Sequence, residues 1–345
     1  MREGFLLVHD QSAGGCLVLD RHGVRVDGFF AGDALESGED AAVVVLVALH
    51  GEAALLISVL PGEAATRQIV VLSVVTIISQ PGERDVTRVS RAPLRKSHMT
   101  TNTLTALITG GTSGIGRATA NKLAQLGFHV VVVGRNAERG TKTVDAIRAM
   151  GGEADFISSE LRDGPSARAV AKRALELGNG HVDVLINNAG IYPFGPTHEM
   201  TEEQFDSVYS LNVKAPYFLV AELAPLMAQK GKGAIVNLST MAADYGAPGM
   251  SLYGSSKAAI NLLTKTWAAE YGPRGVRVNA VSPGPTRTEG TEAMGEGVEQ
   301  LASQAPAGRP ATADEIAEAI VFLATDRASF IYGAKLAVDG GRTAI

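Results

Sequence analysis

The stretch Thr109-Gly110-Gly111-Thr112-Ser113-Gly114-Ile115-Gly116 constrains this chain more than any other. It follows an apolar run over 104–108. It opens a segment in which Ile115, Ala118, Leu123 and Leu126 recur at helical spacing. A strand, a glycine turn and a helix are therefore expected in that order. Glycines allow positive φ and close approach of the backbone to a ligand, and a helix N-terminus aims free N–H groups at it. A pyrophosphate is the natural guest. A tight turn with no ligand is the plain alternative if the glycines stood alone.

The remainder of the chain bears on that choice. From residue 104 onward, strand-like and helix-like segments alternate, as a parallel sheet with helices on both faces requires. Strands are expected over 104–108, 130–133, 154–157, 182–186, 234–238, 276–281 and 335–338, the third being weak. Helices are expected over 115–126, 137–149, 165–177, 202–229, 252–271 and 313–324. The fold class is α/β, a doubly wound, Rossmann-like parallel sheet of about seven strands, with ligands at the carboxyl ends of the strands.

Residues 1–98 differ in character. Apolar, often β-branched runs over 16–19, 24–30, 43–49, 55–60 and 69–78 alternate with Gly, Asp and Pro-Gly turns and read as strands. Residues 79–98 carry Arg84, Arg88, Arg91, Arg95 and Lys96 and read as a basic linker. The region is either a small β-rich domain or an extension upstream of the functional start. Met99, followed by a short polar lead into the first strand, favours the extension. The expected division is thus 1–98 and 99–345.

A net charge of −5 gives no general attraction to nucleic acid or to an anionic membrane. The single cysteine, Cys16, excludes internal disulfides and cysteine-rich metal sites, which suits a reducing cytosol. The seven histidines show no paired ligand spacing, so no catalytic metal is expected. No apolar run reaches the length of a membrane span, and the start lacks the pattern of a signal peptide. A cytoplasmic protein is expected.

Five further motifs accompany the glycine turn. The fourth strand runs into Asn187-Asn188-Ala189-Gly190, and the sixth into Pro283-Gly284-Pro285-Thr286. Tyr253-Gly254-Ser255-Ser256-Lys257 places a phenol and an ammonium at i and i+4, on one helix face. Asn212 lies in Ser210-Leu211-Asn212-Val213, and the fifth strand ends Asn237-Leu238-Ser239-Thr240. A phenol titrates near ~10, so it needs a nearby positive charge to act as a base at neutral pH. Tyr-x-x-x-Lys alone arises by chance on amphipathic helices; the company it keeps here makes it specific.

Together these motifs resemble the short-chain dehydrogenase/reductase family, in particular its 3-oxoacyl reductase-like members. The resemblance covers residues 104 to 341. It implies an NAD(P)(H)-dependent oxidoreductase that moves hydride between nicotinamide and a carbonyl or secondary alcohol, with Tyr253 as general acid/base. It further implies that Lys257 grips the ribose and tunes the phenol, and that Asn212 holds a relay water. A hydroxyl from Thr240, or alternatively Ser239, would orient the substrate oxygen; adjacent strand residues face opposite sides, so only one serves.

The implied cofactor contacts are Gly110, Thr112, Ser113, Gly114, Ile115 and Gly116 in the glycine turn, and Asn188, Ala189 and Gly190 after the fourth strand. Pro283, Gly284 and Thr286 would lie beside the nicotinamide. Glu160-Leu161 stands where relatives carry Asp and an aliphatic residue against the adenine. Gly134 stands where NAD-using relatives carry Asp, and Arg135 follows it, suited to a 2′-phosphate, so NADP(H) is favoured over NAD(H). A solvated surface arginine is the bland reading of Arg135.

Substrate specificity is expected in an acidic, glycine-containing lid over 288–307, with Tyr192, Phe194, Tyr245, Met250 and Met294 as pocket or packing residues. Nothing in the lid forms a basic patch for a phosphorylated or carrier-bound substrate, although Arg274 is expected near enough in the fold to leave that open. A 3-oxoacyl thioester and a sugar or steroid alcohol are the competing substrate classes. The partner is a small carbonyl or alcohol, and the resemblance implies a homotetramer or dimer. A non-catalytic nucleotide sensor on the same fold is the rival reading.

Overall fold

The computed structural model describes residues 103–345 throughout and, before them, the backbone of five strands. The chain divides into units Met1–Lys96 and Ser97–Ile345. In the first, Leu6–Asp10 pairs antiparallel with Gly15–Leu19. Val43–Leu49, Ala53–Val59 and Ile69–Val75 form a three-stranded antiparallel sheet. Four of the five strand-like runs thus meet a strand. The run over 24–30, the linker over 79–98 and Met99 lie outside the described residues.

The second unit carries a seven-stranded parallel sheet. Its strands are β1 (Thr105–Thr109), β2 (His129–Gly134), β3 (Glu153–Ser158), β4 (Val184–Asn187), β5 (Gly233–Leu238), β6 (Val276–Pro283) and β7 (Lys335–Val338). They lie in the order β7-β6-β5-β4-β1-β2-β3. The order reverses between β1 and β4, and in such sheets ligands bind at the carboxyl ends beside that switch. The weak third strand is real and pairs with β2 along its whole length, from Glu153 to Ser158.

Alternation along each strand divides the core. Ala106 and Ile108 of β1, with Val130 and Val132 of β2, face α1 (Gly114–Gln125), α2 (Ala137–Ala149) and α8 (Ala313–Ala324). Leu107, Val131 and Leu185 face α3 (Gly164–Leu177), α5 (Ala215–Lys230) and α6 (Ser251–Tyr271). These strands are buried on both faces, hence their near-continuous apolar sequences. Capping boxes fix the starts of α3 (Asp163 with Ser166) and α8 (Thr312 with Glu315).

The helix expected over 202–229 is interrupted. It consists of α4 (Glu202–Tyr209), a π-turn over Ser210–Lys214, and α5. Pro216 has no N–H to offer the Asn212 carbonyl four residues earlier, and the Ala215 N–H reaches back to the Ser210 carbonyl instead. Arg274 also departs from expectation. It precedes β6, at the end of the sheet opposite the carboxyl ends, where its guanidinium lies 5.2 Å from the Tyr271 ring centre.

At that same far end, Asp183 ties the sheet together. Its buried carboxylate accepts from the Thr105 N–H at 2.8 Å, from His181 at 2.8 Å and from Lys230. Burial pushes this carboxyl upward, but the Lys230 and Thr105 hydrogen bonds outweigh it and hold it below the usual carboxylate range. A carboxylate with a depressed folded-state pKa contributes in full above its unfolded value, near ~3.9, and loses that contribution as pH falls through the folded value. Asp183→Asn is therefore expected to lower unfolding stability at neutral pH by about 2 kcal/mol. The difference from the unaltered chain should shrink in acid, as urea unfolding at several pH values would measure.

Candidate active site

The site is assembled where β1, β4 and β5 end. After β1, Gly110 takes φ +65° and turns the chain toward α1. A Cβ on Gly116 would stand 2.3 Å from the Gly110 carbonyl oxygen and 2.4 Å from the Asn188 amide nitrogen, so only glycine lets α1 start this close to the turn. Asn188 closes the arrangement. Its side-chain amide donates to the carbonyls of Thr109 (2.9 Å) and Gly110 (3.1 Å). The Thr109 hydroxyl accepts from the backbone N–H groups of Asn188 and Ala189.

Ser113 is the N-cap of α1, yet its side chain caps nothing. The first-turn N–H groups are therefore not used by their own cap. They open onto a groove of about 570 Å³. Thr112, Ser113, Gly114 and Ile115 line it on one side, and Asn188, Ala189 and Gly190 on the other, with Gly110 between. Its far end is bounded by Arg135, Glu160 and Leu161. Gly116 lies beneath, as the close packing requires.

Arg139 and Arg162 also line that far end, and the sequence reading missed both. Glu160 stands between two guanidiniums, 3.8 Å from Arg135 and 3.5 Å from Arg162. At Gly134, a Cβ would meet the Thr112 methyl at 2.7 Å. The backbone here leaves no room for an aspartate without displacing Thr112.

Pro283, Gly284 and Thr286 do not line the groove. The Gly284 N–H donates to Val338 of β7, where a Cβ would meet the Asp339 backbone at 2.8 Å, and the Thr286 hydroxyl turns back to the Gly284 carbonyl. Thr288 and Gly290, just beyond, line it instead. The Pro-Gly turn thus delivers the chain to the groove a few residues later than expected. The threonine that ends the Pro-Gly-x-x-x-Thr run was the available signal.

The Tyr253–Lys257 pair sits on the first turns of α6. Gly254 lets the helix pack against the Ala242 carbonyl, which a Cβ would meet at 2.8 Å. Lys257 is buried, and its ammonium donates to the Leu238 carbonyl at 2.7 Å. Burial lowers its pKa to about 8. Burial likewise pushes the Tyr253 phenol up to about 12, against the downward pull of its hydrogen bond with Thr240 and with a small further rise from Tyr192. In the chain alone the phenol is thus a weaker acid than free tyrosine, because burial outweighs any nearby charge.

Thr240 is in extended conformation; its hydroxyl accepts from the Ala242 N–H at 3.3 Å, and it draws the Tyr253 pKa downward. Ser239 is buried with its hydroxyl unpartnered among the described residues. Of the two, Thr240 is the one directed at the phenol. Asn212 is buried in the π-turn. Its side chain accepts from the Ile191 N–H (3.0 Å) and donates to the Ile191 carbonyl (2.9 Å) and to Ser256 (3.1 Å). Its amide is fully engaged in tying β4 to α6. A Cβ on Gly190 would stand 3.3 Å from the Lys257 ammonium and 3.2 Å from the Asn212 amide oxygen, so Gly190 joins the groove to the pair.

Of the suggested pocket residues, Tyr192 lies at the site, with its ring edge-on to Tyr253 at 5.9 Å between centres. Phe194 is exposed and packs on Gly249, and Tyr245 lies 5.0 Å from the Arg342 guanidinium. Met294 is exposed in the lid. Among the described residues, no helix is long and apolar enough to cross a membrane.

The residues present suit a dinucleotide. A helix N-terminus that Ser113 does not cap meets a glycine cradle at one point of the groove, and guanidiniums stand at its end. Comparison with known proteins agrees. Residues 110–343 match the family described as Enoyl-(Acyl carrier protein) reductase. A 3-oxoacyl-[acyl-carrier-protein] reductase of Thermotoga maritima is 36% identical over 236 residues, 68% of this chain and 96% of that one. A structure described as a short chain dehydrogenase/reductase family protein superposes with a TM-score of 0.65 at 47% identity, covering 70% of this chain and 98% of its own. A gluconate 5-dehydrogenase of Burkholderia cenocepacia, in complex with NADP and tartrate, does so with a TM-score of 0.66 at 30% identity, covering 70% and 96%. The chain belongs to the short-chain dehydrogenase/reductase family, enzymes that carry out NAD(P)-dependent oxidoreduction at CH–OH and C=O groups.

Proposed function

We propose that residues 99–345 form a reductase domain that uses NADPH to reduce a ketone to a secondary alcohol, with Tyr253 as the proton donor. One observation carries the reading: a half-buried Tyr253, paired on one helix face with the buried Lys257, adjoins through Gly190 a groove suited to a dinucleotide. When bound, the nicotinamide cofactor supplies the hydride. Tyr253 gives its proton to the carbonyl oxygen, a direction suited to a phenol that stays protonated well above neutral pH. Thr240 orients the same oxygen. Lys257 holds the cofactor's ribose hydroxyls with the donors it does not give to Leu238.

Asn212 positions Ile191 and α6, and any proton relay through it uses its backbone carbonyl, because its amide is already bonded. Arg135, Arg139 and Arg162 favour a 2′-phosphate, the strand end at Gly134 carries no carboxylate, and the nearby Glu160 is offset by the Arg135 and Arg162 guanidiniums on either side of it. The named relatives include a 3-oxoacyl reductase and a gluconate dehydrogenase, so the substrate is a small carbonyl or alcohol of either kind. Assembly as a homotetramer or dimer belongs to the same reading. β7 is an edge strand with Leu336 and the nearby Phe330 exposed, as an edge covered by a second copy would be.

Titration of the full chain with NADPH and NADH by nicotinamide fluorescence tests the cofactor assignment. NADPH is expected to bind more tightly, and Arg135→Ala to remove most of the difference; equal affinities would refute it. Tyr253→Phe should keep NADPH binding and reduce turnover at least a hundredfold, the lower range of a lost general acid. Full turnover in that variant would refute Tyr253 as the proton donor, whereas NADPH binding without turnover of any carbonyl or alcohol by the unaltered chain would leave the non-catalytic sensor as the better reading. Thr240→Val should lower turnover by about fivefold or more, and Ser239→Ala should leave it within about twofold, since a neutral hydrogen bond contributes about 1 kcal/mol. The reverse order would exchange their roles.

A further inference from the structure

The segment Thr286–Thr291 crosses above the groove and is held at both sides by contacts that the reading above does not use. On one side, the Glu289 carboxylate accepts from the Gly114 N–H at 2.9 Å and pairs with the Arg117 guanidinium. Gly114 and Arg117 belong to the first turn of α1, where Ser113 provides no side-chain cap. On the other side, the Tyr192 hydroxyl donates to the Gly290 carbonyl. Tyr192 stands edge-on to Tyr253, so this anchor rests against the reacting end of the groove.

Around the adjacent anchor residues Glu289 and Gly290, the segment is bonded to itself. The Thr291 hydroxyl accepts from the Thr288 N–H at 2.9 Å and lies within hydrogen-bonding distance of the carbonyls of Thr286 and Thr288, at 2.9 and 3.0 Å. Such a loop moves as one piece, so the two anchors act on one body. The approach is close at both ends. A Cβ on Gly114 would meet the Thr288 side chain at 3.1 Å, and one on Gly290 would meet the Tyr192 hydroxyl at 3.0 Å. The groove keeps its volume beneath the segment, with Thr288, Gly290 and Tyr192 among its walls. The contacts therefore close a roof and leave the groove itself open.

We propose that Glu289 and Tyr192 are the two anchors of a strap that closes over the bound dinucleotide, and that the Glu289–α1 contact governs how fast the nucleotide leaves. The inference rests on the NADPH reading above. Glu289 acts as a positioning residue. Its carboxylate takes the Gly114 N–H of the first turn of α1, while Ile115 next to it lines the groove. The cofactor's diphosphate and the carboxylate then share the positive end of one helix without occupying the same donor. Burial pushes the Glu289 carboxyl upward, but hydrogen bonds, including that from Gly114, and the Arg117 charge hold it below the usual range. The strap is thus anionic and latched at neutral pH. Both partners are partly exposed, so the ion-pair part of the latch is sensitive to salt, and the Gly114 hydrogen bond less so.

Stopped-flow fluorescence of NADPH bound to the full chain tests this, because association and dissociation rates are read separately and neither requires turnover. Glu289→Ala should raise the dissociation rate about three- to tenfold and leave the association rate within about twofold, the range of a lost charge-assisted hydrogen bond plus a partly exposed ion pair. Glu289→Gln keeps an acceptor for the Gly114 N–H and should recover part of the loss. Tyr192→Phe should also speed dissociation, through the other anchor. Raising the salt concentration should speed dissociation from the unaltered chain more than from Glu289→Ala. An unchanged dissociation rate in Glu289→Ala would overturn the proposal. So would tighter binding in that variant, which would mean that the carboxylate competes with the diphosphate. Failure of the unaltered chain to bind NADPH would remove the nucleotide reading itself and the strap with it, whereas full turnover in Tyr253→Phe would remove the catalytic reading and leave the strap standing.

Discussion

Helix α1 begins so near the end of β1 that a single methyl group at Gly116 would overlap both the Gly110 carbonyl and the Asn188 amide. That close approach organises the site. It requires Gly110 in its left-handed conformation, and it brings Asn188 within reach of two successive carbonyls at the β1 turn. The same asparagine directly follows β4, so the turn after one strand and the exit from its neighbour are locked by one amide. The groove that results is rigid where a diphosphate needs directed N–H groups, and its walls come from both strands at the switch in sheet order.

From this fixed point the chemistry is reached in two steps. Gly190, just past Asn188, is small enough to let Lys257 and Asn212 approach the groove wall. Asn212 then holds Ile191 on one side and Ser256 of α6 on the other, so that the helix bearing Tyr253 is tied to the strand bearing the cradle. The π-turn forced by Pro216 helps place Asn212 there. Burial has opposite effects on the two titrating partners. It weakens Lys257 as a cation and Tyr253 as an acid, so the chain alone disfavours charge on both. A positively charged ligand beside them would reverse that for the phenol.

Much of this was legible in the sequence because the fold depends on residue types with narrow tolerances. Glycines at 110, 116 and 190 are demanded by close approach, and the Tyr253–Lys257 spacing by the period of a helix. Even the weak third strand was found, since its neighbours required a partner at that point. What escaped was set by geometry beyond the local chain. Thr286 and Thr288 are equally polar, and only the path of the chain after β6 shows that Thr288 reaches the groove. Arg139 and Arg162 read as surface charges until α2 and the end of β3 bring them to one place. Arg274 lies close in sequence to the catalytic helix, yet it is at the wrong end of the sheet, because a parallel strand of eight residues separates it from the site. Ser239 and Thr240 are adjacent hydroxyls just past β5, and only the structure shows the Ser239 hydroxyl buried and without a partner among the described residues.

The most direct measurement is the ionisation of Tyr253 itself. Ultraviolet difference titration of the full chain against Tyr253→Phe isolates this phenol from the other tyrosines, with and without saturating NADP⁺. The account predicts a pKa near 12 in the chain alone and a fall of several units when the oxidised cofactor binds, because a cation then offsets the effect of burial. An identical value in both states would contradict the claim that the groove and the Tyr253–Lys257 pair form one catalytic site.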